Sequence, residues 1–129
     1  MRISELARAT GTTTKTLRFY EDIGLLRPAT RTPSGYRDFD IDAIDRLDFI
    51  RRGQAAGLTL AEVNQILRIR DGGQPPCEHV RDLLATRLAD LDTQIAQLLA
   101  LRETIARLGE AATHSDPDSC PPNQVCRYL

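Results

Sequence analysis

Three cysteines carry the most distinctive chemistry of this chain. Cys77, Cys120 and Cys126 are all the thiols among its 129 residues. Thiolates bind soft metal ions, and two thiols can instead close a disulfide in response to an oxidant. The odd number argues against a simple disulfide framework. The sequence therefore indicates a metal site or a redox-sensitive thiol pair, with simple packing of Cys77 and Cys126 as the remaining interpretation.

A second group of residues, near the N-terminus, has side chains that bind nucleic acid. Arg and Lys bind phosphates and guanine edges, and Thr binds phosphates or a thymine methyl group. Some of these residues fall on a predicted helix and the others on a predicted hairpin that follows it. The candidates are Thr13, Thr14, Lys15, Arg18, Arg31, Tyr36 and Arg37.

The distribution of charge supports a nucleic-acid partner for the first half of the chain only. Residues 1–70 contain 12 Lys and Arg against 9 Asp and Glu, a net charge of +3. Residues 71–129 contain 5 against 9, a net charge of −4. A basic first half and an acidic second half indicate that only the first half meets a polyanion.

The predicted elements place the cationic residues on a helix-turn-helix with a β-wing. A first helix begins near Ile3 and ends near Gly11, which can adopt a left-handed conformation. A threonine at position 12, 13 or 14 caps the second helix, which ends near Gly24. Two short helices joined by a tight turn form a helix-turn-helix. The Pro-Ser-Gly sequence at 33–35 predicts the tip of a β-hairpin, the wing.

Two further helices and a linker complete the first part of the chain. Asp40 or Asp42 is expected to cap the third helix, which ends at Gly57. Thr59 and Glu62 predict a capping box at the start of the fourth helix. Residues 71–76 contain two glycines and two prolines, which indicates a linker.

The longest helix is predicted beyond this linker, and it needs a partner. Its apolar residues follow one another in steps of four and three, the heptad spacing of a coiled coil. They are Leu84, Leu88, Leu91, Ile95 and Leu98. The same helix of a second chain, parallel or antiparallel, is the economical partner, and packing on its own domain is the alternative. Residues 113–129 are polar and predict a loop, with a final turn within 125–129.

Four motifs in residues 1–70 resemble the MerR family of transcriptional regulators. The first is Ile3-Ser4-Glu5-Leu6-Ala7. The second is Thr16-Leu17-Arg18-Phe19-Tyr20-Glu21, followed by Gly24-Leu25-Leu26. The third is Arg31-x-x-x-Gly35-Tyr36-Arg37-x-Phe39, and the fourth is Gly57-Leu58-Thr59-Leu60-x-Glu62-Val63.

This resemblance implies a mainly α fold with four parts. Residues 1–70 would be a winged helix-turn-helix DNA-binding domain and 71–76 a linker. Residues 77–112 would be a dimerisation helix that forms an antiparallel coiled coil with its partner, and 113–129 an effector-binding loop. The implied partners are a second copy of the chain, double-stranded promoter DNA and, indirectly, RNA polymerase. Such regulators kink and untwist their operator, which costs DNA deformation energy of several kcal/mol.

The resemblance also implies roles for individual DNA-binding residues. Arg18 and Tyr20 would contact phosphate or fix the recognition helix. Thr14 and Lys15 would face the bases, and the wing residues Tyr36 and Arg37 would grip the flanking backbone.

The three cysteines would form the effector site of such a dimer. In an antiparallel pair, Cys77 at the start of one helix approaches Cys120 and Cys126 of the partner copy. A cysteine at this helix start favours a divalent ion, namely zinc, cadmium, lead or mercury, over copper(I). His114 is a possible fourth ligand, whereas His79 is expected to face solvent.

The spacing of these cysteines departs from the family pattern. The family usually has one cysteine near the end of the helix, where this chain has Ala111, Ala112 and Thr113. Cys120 and Cys126 would then be the pair, or Cys126 an additional thiol. A thiol-redox regulator of the same family and a copper(I) sensor stay open, as do an organic-ligand sensor and an unresponsive regulator.

The sequence also excludes several classes of protein. No run approaches the roughly 18–20 apolar residues of a membrane span, and the N-terminus lacks the apolar core of a signal peptide. We therefore expect a cytoplasmic protein with reduced thiols and no membrane partner. No catalytic cluster or phosphate-binding glycine loop is evident, so an enzyme is not expected. A dimeric adaptor that does not bind DNA is the competing class.

Overall fold

A computed structural model describes all residues from Met1 to Leu129 and confirms a mainly helical fold. The chain divides into two compact units, Met1–Leu84 and Ala85–Leu129. The elements are α1 (Ile3–Thr10), α2 (Thr14–Asp22), β1 (Thr30–Arg31), β2 (Arg37–Asp38), α3 (Asp42–Ala55), α4 (Leu60–Asp71), α5 (Cys77–Thr113) and a 3-10 turn over Pro117–Ser119.

Local capping explains the predicted helix-turn-helix. Gly11 ends α1 with a φ of 67°, in the left-handed region, and its N–H donates to the Ala7 carbonyl. Thr13 then caps α2, because its hydroxyl oxygen accepts from the Thr16 N–H at 3.1 Å. The turn between the two helices is short because both helix ends are satisfied by residues at most four positions away.

The predicted wing is a two-stranded antiparallel hairpin. Thr30 pairs with Asp38 and Arg31 pairs with Arg37. At the tip, the Gly35 N–H donates to the Thr32 carbonyl at 2.8 Å, and Gly35 has a φ of 86°. A residue with a Cβ is strained at this φ, so the glycine permits the tight turn.

The predicted aspartate cap of α3 is wrong, whereas the predicted capping box of α4 is confirmed. Neither Asp40 nor Asp42 caps α3 with its side chain; the cap position is Ile41, whose backbone is already helical at φ −60° and ψ −28°. The Ala43 N–H instead donates to the Asp40 carbonyl at 3.0 Å. Thr59 and Glu62 form the expected reciprocal capping box, with donor–acceptor distances of 2.9 and 3.1 Å.

The core of the first unit is aliphatic except for Phe39 and joins all four of its short helices. It contains no buried polar or charged residue. Leu6, Leu17 and Val63 are fully enclosed. Val80 and Leu83, on the first turns of α5, pack against the same core and are partly buried. The remaining buried residues are Ala7, Leu25, Leu26, Phe39, Ala43, Leu47, Ile50, Leu58, Ile66 and Leu67.

An ion-pair network ties the end of α4 to α3 and to the segment after α2. The Arg46 guanidinium donates to both oxygens of Asp71, at 2.9 and 3.0 Å, and to the Leu25 carbonyl. Arg27 donates to the same carboxylate at 2.8 Å. The hydrogen bond from Arg46 is the main reason why the pKa of Asp71 falls from 3.8 to about 2.

Helix α5 has an apolar side that nothing in the chain covers. None of its residues is buried. The predicted heptad residues are exposed, with fractions from 38% at Leu91 to 65% at Leu98. None of the helices has the continuous apolar length that a membrane span needs.

The tail that follows α5 is folded by polar contacts. The Asp116 side chain caps the 3-10 turn by accepting from the Asp118 N–H at 3.0 Å. Arg127 then donates to the Ser119 hydroxyl at 2.9 Å and to the Ser119 carbonyl at 3.2 Å. These contacts close a loop that contains both Cys120 and Cys126.

Candidate nucleic-acid interface and cysteine positions

Helix α2 presents the predicted recognition residues on one exposed side. Leu17 anchors the opposite side in the core, while Lys15 and Arg18 are exposed. Thr14 is half-buried, and the hydroxyl of the exposed Thr13 is engaged in capping the helix. Lys15 and Arg18 are therefore the side chains of this helix that are most free to contact DNA.

Tyr20 and Glu21 hold α2 in place from its C-terminal end. Tyr20 packs against the core, and its carbonyl accepts from the N–H groups of Leu25 and Leu26. Glu21 accepts from the Ala29 N–H at 3.0 Å and pairs with Arg37 on the wing at 3.4 Å. Glu21 thus connects α2 to the wing, a contact that the sequence did not reveal.

The three wing residues have different environments. Tyr36 is 55% exposed. Arg31 is exposed and donates to the Gly35 carbonyl at 2.9 Å, which braces the hairpin tip. Arg37 is half-buried beside Glu21. Arg31 and Tyr36 are therefore available to a ligand, while Arg37 also has a structural contact.

A concavity between the start of α1, α2 and the wing brings four of the predicted residues together. Arg18, Arg31, Tyr36 and Arg37 line it, and so do Arg2, Ile3, Ser4 and Gly35. The guanidinium carbon of Arg2 lies 4.5 Å from the centre of the Tyr36 ring. Arg2 is not among the residues predicted from sequence, where its only signal is a positive charge immediately before the first helix.

One cysteine lies at the start of α5, and the other two lie in the tail that follows the helix. Cys77 is the first residue of the helix and is exposed, Cys120 is half-buried and Cys126 is exposed, and all three are free thiols. The chain alone does not bring three His, Cys, Asp or Glu side chains together as a metal site. Cys77 belongs to the first unit, and Cys120 and Cys126 belong to the second.

The two histidines also differ from each other. His114 is exposed, and its Nε2 atom lies 2.7 Å from a Glu110 carboxylate oxygen. His79 is half-buried, and its Nε2 atom is enclosed without a hydrogen-bond partner. The expectation that His79 faces solvent is wrong, because the first turns of α5 pack against the core of the first unit.

Comparisons with known proteins agree with this architecture. The family described as "MerR HTH family regulatory protein" matches residues 1–69, and "MerR, DNA binding" matches residues 44–108. The HTH-type transcriptional regulator HmrR of Rhizobium leguminosarum is 36% identical over 94% of this chain and 93% of its own length. The mercuric resistance operon regulatory protein of Bacillus cereus is 33% identical over 93% and 92%.

A solved structure extends the similarity to the whole chain. The transcription regulator PbrR691 from Ralstonia metallidurans CH34, in complex with lead(II), superposes with a TM-score of 0.76 at 33% identity. The match covers 100% of this chain and 96% of that one. These relatives are transcriptional regulators and not enzymes, in agreement with the prediction from sequence. The matched families, the shared fold and the helix-turn-helix with its wing together show that this chain belongs to the MerR family of DNA-binding transcriptional regulators.

Proposed function

We propose that the protein is a dimeric regulator that distorts promoter DNA when a thiophilic divalent metal ion binds at the dimer interface. The observation that carries the proposal is the arrangement along α5. The helix has an uncovered apolar side, one thiol at its first residue and two thiols in the loop after its end. The lead(II)-bound relative and the mercuric resistance regulator support a soft metal ion as the effector.

The uncovered side of α5 is where the second copy would pack. Leucine and isoleucine at heptad spacing pack into a coiled coil when two such helices pair, and the burial stabilises the dimer by about 25 cal/mol per Å² of apolar surface removed from water. In an antiparallel pair, the start of one α5 lies beside the end of the other. Cys77 of one copy then meets Cys120 and Cys126 of the other.

Three thiolates would form the first ligand sphere of the ion. Soft thiolate ligands favour zinc, cadmium, lead and mercury, and also copper(I). His114 is the candidate fourth ligand, and binding would require it to leave its contact with Glu110. The metal ion would supply a bond that joins two subunits, and its charge would hold the thiols in their deprotonated form.

Arg127 would prepare the tail for this role. Its two hydrogen bonds to Ser119 keep Cys120 and Cys126 within one closed loop before any ion arrives. A preorganised ligand loop gives up less conformational freedom on binding, so the ion binds more tightly.

The first unit would bind the operator. We assign base contacts to Thr14 and Lys15, and phosphate contacts to Thr13, Arg18 and Arg31. For Thr13, the contact would require its hydroxyl hydrogen to leave the Thr16 hydroxyl oxygen. Tyr36 and Arg37 would contact the flanking backbone, and Tyr20 would fix the recognition helix. Residues 1–70 would thus form the DNA-binding domain, and residues 71–76 would form the linker. Residues 77–112 would form the dimerisation helix, and residues 113–129 would form the effector-binding loop.

An anaerobic titration of the reduced protein tests the metal site. Zinc, cadmium, lead, mercury and copper(I) are added separately, and the thiolate-to-metal absorption band is followed. We expect a band that saturates at one divalent ion per chain and disappears in Cys77→Ser, while the control Ser115→Ala keeps it. If only copper(I) gave a saturating band, the effector would be copper(I) and not a divalent ion. No band with any ion, together with a peroxide-dependent change in DNA affinity, would support a redox regulator instead.

A mixing experiment tests whether each site uses two subunits. One chain carries Cys77→Ser and the other carries Cys120→Ser and Cys126→Ser. Neither homodimer would contain a complete three-thiolate site, but the mixed dimer would contain one. We expect half of the wild-type absorption band per mixed dimer. A mixed dimer without metal binding would contradict the shared site.

A separate experiment tests DNA binding. Arg18→Ala should weaken binding to a selected promoter duplex and reduce the slope of log K against log salt by about 2, because each of the two chains no longer holds one phosphate. Arg107→Ala, an exposed charge on α5, is the matched control and should bind as the wild type does. An adaptor that does not bind DNA would show no affinity in either case.

A further inference from the structure

We propose that Arg2, stacked on the Tyr36 ring, binds a DNA phosphate in the concavity between the start of α1 and the wing. The inference rests on the proposed DNA-binding function and adds a contact that the recognition motifs do not contain.

The position of Arg2 joins two elements that are far apart in sequence. Its guanidinium carbon lies 4.5 Å from the centre of the Tyr36 ring, and both residues are exposed. Arg18 and Arg31 line the same concavity. A guanidinium over an aromatic face keeps its in-plane N–H donors free, so the stacked group can still bind a phosphate.

The arginines of this concavity differ in the hydrogen bonds and ion pairs that they already form within the chain. Arg37 pairs with Glu21, and Arg31 donates to the Gly35 carbonyl. The side chains of Arg2 and Arg18 make no hydrogen bond or ion pair within the chain. Because no carboxylate neutralises them, these two guanidinium groups give the concavity its unbalanced positive charge, which favours a polyanion.

The start of α1 adds to this preference. Arg2 occupies the cap position of α1, but no side chain caps the helix. Ile3 and Ser4, its first two residues, line the concavity beside the guanidinium group. Unpaired N–H groups at a helix start bind phosphate oxygens, and here they accompany a cationic side chain.

The backbone next to Arg2 is anchored to the wing. The Phe39 N–H donates to the Met1 carbonyl at 2.6 Å, and Phe39 is itself buried in the core. Arg2 is thus held at the base of the hairpin whose Tyr36 it covers. An anchored backbone reduces the conformational freedom that the side chain gives up when it binds.

Salt-dependent binding of the full-length protein tests the proposal. The probe is a duplex that the wild-type protein selects from random-sequence DNA, and the affinity is measured by fluorescence anisotropy at several salt concentrations. Each phosphate contact contributes about 0.9 to the slope of log K against log salt. Because a dimer has two copies of Arg2, we expect Arg2→Ala to reduce the slope by about 2 and to weaken binding. Arg8→Ala removes the same charge from an exposed position of α1 and should leave the slope unchanged.

A double-mutant cycle tests the stacking. Arg2→Ala and Tyr36→Ala together should weaken binding less than the product of their separate effects, because each removes the same stacked pair. Tyr36→Phe should keep the stacking contribution. Thermal unfolding of Arg2→Ala without DNA should match the wild type, which separates a missing phosphate ligand from a damaged fold.

The outcomes distinguish this proposal from the proposed function. If the wild type selects DNA and Arg18→Ala weakens the binding, but Arg2→Ala behaves as Arg8→Ala does, then only the role of Arg2 is overturned. If the wild type selects no duplex at low salt, DNA binding itself is overturned.

Discussion

The two units use the same aliphatic residues in opposite ways. In Met1–Leu84, leucines such as Leu6 and Leu17 are fully enclosed, and local caps fix the helices around them. In Ala85–Leu129, leucines such as Leu98 are mostly exposed, although they follow a regular spacing. A hydrophobic pattern therefore indicates burial but does not say whether the burying surface belongs to the same chain.

Truncating one leucine in each unit should give the largest contrast. Leu6→Ala removes a fully enclosed side chain, so the first unit should lose about 2–5 kcal/mol of unfolding free energy. Leu98→Ala should leave the unfolding of the first unit unchanged and raise the dissociation constant of the dimer. Urea unfolding and sedimentation at several concentrations measure the two effects. An unchanged dissociation constant for Leu98→Ala would contradict the pairing of α5.

Replacing one glycine in each unit by alanine should give effects of opposite sign. A Cβ at Gly53 would lie 2.8 Å from a Val63 methyl group inside the core, so Gly53→Ala should destabilise the first unit by about 1–3 kcal/mol. A Cβ at Gly109 in α5 meets no atom within 4 Å. Gly109→Ala should therefore stabilise the helix by about 0.5–1 kcal/mol. Denaturation followed by circular dichroism measures the unfolding free energy of each variant. Stabilisation by Gly53→Ala would show that the core can accommodate an additional methyl group without strain.

The loss of folding stability at acid pH should depend on Asp71, in the first unit. Its pKa is lowered to about 2, chiefly by the hydrogen bond from Arg46, so the carboxylate stabilises the fold above its ordinary pKa of 3.8. This stability is lost as the pH falls from 3.8 towards 2 and Asp71 becomes protonated. Asp71→Asn should flatten the pH dependence of unfolding in this window. Asp92→Asn, on an exposed position of α5, should keep the wild-type dependence of the unfolding free energy on pH. If both variants showed the same pH dependence, Asp71 would not be its source.

The sequence predicted best those features that depend on neighbouring residues. Thr13, Gly11 and the Thr59–Glu62 capping box lie within a few residues of their partners, so local spacing reveals them. The predicted aspartate cap of α3 is wrong, because an aspartate before a helix caps it only if the backbone enters in an extended conformation, and Ile41 is already helical.

The features that the sequence did not reveal depend on contacts between distant residues. Arg2 meets Tyr36, and Arg46 meets Asp71, only after the helices have packed. The partial burial of His79 likewise follows from the packing of the first turns of α5. The thiols could be placed at the two ends of α5 from spacing alone, but which of them share one ion depends on a second subunit, and their assignment is therefore a proposal.

The Asp71 network has a mechanical consequence. Only residues 72–76 separate this carboxylate from Cys77, the first residue of α5. The N–H groups of the two glycines in this stretch donate back to carbonyls in the last turn of α4, and its two prolines have fixed φ angles. We therefore expect this stretch to have little conformational freedom. A displacement of Cys77 would then also move the ion-pair network that Asp71 forms with Arg46 and Arg27.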